Sequence, residues 1–109
     1  MNRHLTTDQK IARLEHTIVI LRRKLASIPT TAEADDLGIR AAGKRVKGEL
    51  QSELFARFRF GSDGKYHLQM ANVTASSQDG GVSLFRRWHI NASRAVIMMK
   101  VKALCDGAN

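Results

Sequence analysis

Between Thr6 and Ile28 the apolar residues fall at Ile11, Leu14, Ile18, Leu21, Leu25 and Ile28, at spacings of 3, 4, 3, 4 and 3. This unbroken heptad seam commits the segment to helix and commits the helix to a partner. With Ile11 at a, Ile18 and Leu25 are also a, and Leu14, Leu21 and Ile28 are d. Isoleucine at the first two a positions with leucine at the first two d positions favours a parallel two-stranded packing, and the Leu25–Ile28 pair reverses that preference. Lys10 at g and Glu15 at the following e would pair across such a dimer. Thr6-Thr7-Asp8-Gln9 supplies a capping box at the start, and Pro29 a stop. A helix of about 23 residues is marginal alone in water. A second copy of the chain or the chain's own second helix must therefore cover the seam. The reading adopted is self-association, with a dimer favoured. Residues 1–29 then form the self-association helix, and residues 30–109 a small α+β domain.

A second helix opens at Thr30-Thr31-Ala32-Glu33, another capping box, with Asp35 and Asp36 in the first turn, where the helix dipole favours negative charge. Ile39, Ala42, Val46, Leu50 and Leu54 form its apolar stripe, and Arg40, Lys44 and Lys47 form a neighbouring basic ridge. Near Leu54 the period changes from helical to alternating. Ala56, Phe58 and Phe60 face one way, and Phe55, Arg57 and Arg59 the other. Gly61-Ser62-Asp63-Gly64 suits a type I turn followed by a left-handed glycine. Pairing Gly61 with Lys65 sets Phe60 opposite Tyr66, Phe58 opposite Leu68, Arg59 opposite His67 and Arg57 opposite Gln69. Turn chemistry and both alternations therefore specify the same hairpin. Its aromatic face needs a helix to pack on, because a lone hairpin is not stable.

Residues 72–81 are polar and turn-rich and are read as a loop. Val82 to Leu104 is read as an amphipathic helix. Leu84, Phe85, Trp88, Ala92 and Val96 lie on one side, and Arg86, Arg87 and Arg94 on the other. The run Val96-Ile97-Met98-Met99 would also suit a strand over Ala95–Val101, and helix is the reading adopted. The fold class is therefore α+β: a coiled-coil-like helix, a second helix, a β-hairpin and a basic C-terminal helix.

The chemistry-bearing residues form no catalytic or metal pattern. The histidines His4, His16, His67 and His89 lack helix-turn spacing, and one cysteine, Cys105, rules out an internal disulfide. The serines lack a Gly-x-Ser-x-Gly context. No enzyme activity, cofactor or metal is expected. The polar N-terminal stretch lacks the apolar core of a secretion signal, and no apolar run is long enough for a membrane span, so a soluble cytoplasmic protein is expected.

Charge gives the only functional direction. The 109 residues carry 18 Lys+Arg against 10 Asp+Glu, a formal charge of +8. Between Gly81 and Cys105 there are five basic residues and no acid. Three basic groups emerge: Arg57, Arg59 and His67 on the hairpin, Arg40, Lys44 and Lys47 on the second helix, and Arg86, Arg87 and Arg94 on the last. Such surfaces suit a polyanion, because phosphate contacts gain from counterion release. The expectation is a small dimeric binding protein for nucleic acid or nucleotide phosphates, with Trp88 as a stacking or packing aromatic. The same composition suits a phage or mobile-element protein that covers an acidic host protein surface.

Overall fold

The computed structural model describes residues 6–29 and 36–107. Its elements run α1 (Thr7–Ala26), α2 (Asp36–Glu53), β1 (Arg57–Phe60), β2 (Tyr66–Met70), β3 (Val73–Ser77) and α3 (Val82–Gly107). The class is α+β, with one antiparallel sheet ordered β1-β2-β3. The Thr30–Glu33 capping box, Asp35 and His4 lie outside the described residues.

The start of α1 is built by its capping box. The Gln9 amide N–H donates to Thr6 Oγ1 at 3.1 Å, and the Thr6 N–H donates to Gln9 Oε1 at 2.9 Å. The heptad seam is covered within the chain. Ile11, Leu14 and Leu21 are buried, with Ile18, Leu25 and Ile28 packed against the same core. The covering element is chiefly α3, which lies antiparallel to α1, and more lightly α2. Glu15, read as a dimer contact, pairs with Lys100 of α3 at 3.2 Å. The segment expected to stand apart for self-association therefore shares the core of the rest. Self-association through this seam would require α1 to leave α3. Helix α2 is tied to α1 by Lys24, whose ammonium lies 2.8 Å from Glu49 and 2.9 Å from Glu53.

The hairpin has the register expected: Phe60 faces Tyr66, Phe58 faces Leu68, Arg59 faces His67 and Arg57 faces Gln69. Gly64 sits at φ +77°, and the Gly61 N–H donates to the Lys65 carbonyl at 2.8 Å. A Cβ at Gly61 would lie 2.6 Å from Asp63 Oδ1 and 2.8 Å from His67 Nε2, so a larger residue there would push these two side chains aside.

The loop reading of residues 72–81 is corrected over Val73–Ser77, which forms the third strand. Met70 pairs with Val73 across Ala71-Asn72, and both turn residues have left-handed φ, 51° and 65°. Positive φ at both central residues is the type I′ hairpin pattern, ordinarily announced by Asn-Gly or Asp-Gly rather than Ala-Asn. Polar Thr74, Ser76 and Ser77 hid the alternation, because only Val73 and Ala75 give this strand apolar inward positions.

Helix α3 closes the structure, and the strand alternative for Ala95–Val101 is not taken up. Leu84, Phe85, Trp88 and Ala92 are buried, with Phe85 edge-on to Phe58 at 6.1 Å between ring centroids. The Trp88 indole N–H lies 3.2 Å from the Met70 carbonyl and 2.9 Å from the Val73 carbonyl, the two that flank the tight turn. Asn91 donates to the Thr74 carbonyl at 3.1 Å, on the free side of edge strand β3. Toward its C-terminal end α3 leaves Ile97, Met98, Val101 and Leu104 exposed.

Candidate nucleic-acid interface

The three strands sort their side chains onto two faces by alternation. Phe58, Leu68, Met70 and Ala75 belong to the face that meets α3. The opposite face follows from the register. Arg57, Gln69 and Thr74 form one row across the sheet, and Arg59, His67 and Ser76 the next. Arg57, Arg59, Gln69 and Thr74 are exposed. The outer face is thus polar and cationic throughout.

Its charge is not spent internally. Among the described residues the carboxylates in ion pairs are Glu15, Glu49, Glu53 and Asp63, held by Lys100, Lys24, Arg45 and His67. None of those pairs involves Arg57, Arg59, Arg86, Arg87 or Arg94. His67 reaches the outer face but is engaged there, its Nε2 lying 3.1 Å from both oxygens of Asp63. The imidazole, and after it the Lys65 backbone amide, hold the Asp63 carboxyl below its ordinary value. His67 is therefore a weaker candidate for phosphate than its two arginine neighbours.

Of the other basic groups, Lys47 of α2 lines a cavity with Arg59 and His67 of the sheet. On α2, Arg40, Lys44 and Lys47 are exposed, and Lys47 is directed to a ring, its Nζ 5.1 Å from the Phe58 centroid. That contact is a cation–π pair across the α2–β1 junction. On α3, Arg86, Arg87 and Arg94 are exposed, with Arg86 turned to a different side of the helix from the other two. Arg86 lines a groove between α1 and α3 with Arg22, Leu25, His89 and Ile90. The Nε2 atom of His89 is buried with no hydrogen-bond partner among the described residues. Arg87 and Arg94 flank Asn91 along the β3 side of the helix. Trp88 is wholly buried, so it is a packing residue and not a stacking platform.

Two residues that pattern reading passed over join the arginines. Arg13, at an outer heptad position of α1, reaches the end of the sheet and lines a cavity there with Arg57, Gln69 and Asn72. Phe55, taken as one more alternating residue before β1, has left-handed φ of 55° and stands 78% exposed at the mouth of the same cavity. Heptad position says only that Arg13 faces away from the seam. The element it faces depends on how α1 packs against α3 and α2.

Among the described residues no cluster of His, Cys, Asp and Glu suited to a metal ion occurs, and no helix is long and apolar enough to cross a membrane. No family model, curated protein or solved structure matches the chain.

Proposed function

We propose that this chain is a non-enzymatic binding protein that lays its open sheet face on the phosphates of nucleic acid. The observation that carries the reading is the pair Arg57 and Arg59, exposed and free of carboxylate partners among the described residues. Gln69 and Thr74 beside Arg57 supply hydrogen-bonding groups for sugar or base edges. The dense side is held rigid by α3 through Trp88 and Asn91, so the arginines are carried on a fixed platform rather than a loop. The reading places the protein in the cytoplasm, a compartment in which the exposed free thiol of Cys105 stays reduced.

The test is a salt titration of binding to labelled DNA and RNA. Arg57→Ala and Arg59→Ala should each flatten the log–log slope by about one, with the fold intact by circular dichroism. Arg40→Ala on α2 should leave the slope unchanged. If protein stripped of nucleic acid binds neither polymer nor free nucleotides at about 50 mM salt, where phosphate-driven binding is strong, the reading fails. The cationic face would then be assigned to an acidic protein surface.

A further inference from the structure

All the non-glycine residues with left-handed backbone among those described, Phe55, Ala71 and Asn72, line one cavity of ≈ 270 Å³ at the end of the sheet. They come from two separate corners of the chain. Phe55 is at the α2–β1 corner, where the Ala56 N–H turns back to the Leu50 carbonyl. Ala71 and Asn72 form the β2–β3 turn. Left-handed backbone is the ordinary state of a helix C′ residue closed by such a return bond and of both centres of a type I′ turn, and asparagine takes it readily; for phenylalanine and alanine it costs about 1–2 kcal/mol. Phe55 is a costly residue to hold there. Glycine or asparagine would relieve the strain, and an aromatic ring 78% exposed returns little packing.

The remaining lining states what the cavity would take. Arg13 and Arg57 enter it from α1 and β1, and no carboxylate lines it, so it favours an anion. Gln69 and Asn72 bring side-chain amides that can donate and accept. The volume lies just below the ~300 Å³ lower end of pockets for whole small ligands, which suits one unit of a polymer. Guanidinium pair, amide pair and open aromatic ring are the parts that bind an unpaired nucleotide.

We infer that this cavity holds one unpaired nucleotide, its base stacked on Phe55 and its phosphate between Arg13 and Arg57. The inference rests on the sheet-face reading and deepens it. Arg57 belongs to both surfaces, so a strand on the sheet delivers its unpaired end to the cavity. The protein would then prefer single strands, or duplexes with an overhang, to blunt duplexes.

The test compares the full chain on a short labelled single strand and on a blunt duplex. Phe55→Ala should weaken single-strand binding by at least about five-fold, the span of one base–aromatic stack, and leave duplex binding unchanged. Phe55→Trp should keep single-strand affinity, and its fluorescence should be quenched on binding. Arg13→Gln should flatten the salt slope by about one for the single strand and leave the duplex slope alone. The inference is overturned if Phe55→Ala and Arg13→Gln bind the single strand as the wild type does. In that outcome Arg59-dependent duplex binding would leave the sheet-face reading standing. Equal weakening of both substrates would also overturn it, because a general structural defect would explain that. If the wild type binds neither substrate, both readings fall together.

Discussion

Ala71 shows how much a single position can be out of step with its backbone. It occupies the first central position of a type I′ turn at φ 51°, where a Cβ is in steric conflict with the following carbonyl. The turn survives because the carbonyls on either side of it, of Met70 and Val73, receive the Trp88 indole N–H. Ala71→Gly should therefore raise unfolding free energy by about 0.5–1 kcal/mol, the relieved strain less the added freedom of the unfolded chain. Urea denaturation measures it, and a loss of stability would contradict the strain assigned to this turn. Gly64 is the opposite case. Its left-handed conformation was readable from Gly-Ser-Asp-Gly, because only glycine takes that conformation without penalty. The left-handed state of Ala71 was not readable, since nothing in an Ala-Asn pair announces it without the contact from Trp88.

Between elements, the clearest electrostatic joint is Lys24 with Glu49 and Glu53, which fastens α1 to α2. The Glu49 hydrogen bond is the main reason that Lys24 stays protonated above the ordinary lysine range. The same bond pulls the Glu49 carboxyl below the ordinary carboxylate range. The raised lysine contributes fully below its unfolded value and is lost only as pH rises through the folded one. The lowered carboxylate contributes above its unfolded value and is lost as pH falls through the folded one. The joint therefore holds across neutral pH and opens at both extremes. Thermal unfolding of wild type and Lys24→Met should differ at about pH 7 and converge as pH falls through the lowered range of the Glu49 carboxyl. A gap of constant size across that range would rule out this ion pair as the cause. Salt should narrow the gap at neutral pH, because the carboxylates are partly exposed.

For the whole molecule, the decisive fact is that α1 and α3 share one core. Leu14 and Leu21 are buried inside the chain. Leu14→Asp should therefore unfold the protein, by far-UV circular dichroism, rather than yield a folded monomer, because a buried unpaired carboxylate costs several kcal/mol. A folded, soluble Leu14→Asp monomer would show that the seam had been intermolecular. Trp88→Ala should be similarly severe, about 3–5 kcal/mol for the lost aromatic, with two turn carbonyls deprived of their donor. Such a loss is large against the ~5–15 kcal/mol that holds a typical domain together.

Local physics determined the helix of the heptad segment, the capping box at Thr6, the hairpin and its register, and the helical state of the C-terminal segment. Each of these depends on periodicity or on turn chemistry within a few residues, and both are written in the order of side chains. The partner of the heptad seam was not determined that way. A stripe of Ile and Leu records only that it must be covered, and both α3 and a second copy satisfy it. The third strand depended on Trp88 and Asn91, at 15 and 17 residues' distance from the carbonyls Val73 and Thr74 that they satisfy. The candidate site divides along the same line. Arg57 and Arg59 were placed together by alternation, a rule internal to one strand. Arg13 and Phe55 joined Arg57 only when α1, packed on α3, brought Arg13 to the end of the sheet and α2 turned into β1, because a shared cavity is a property of packing between elements.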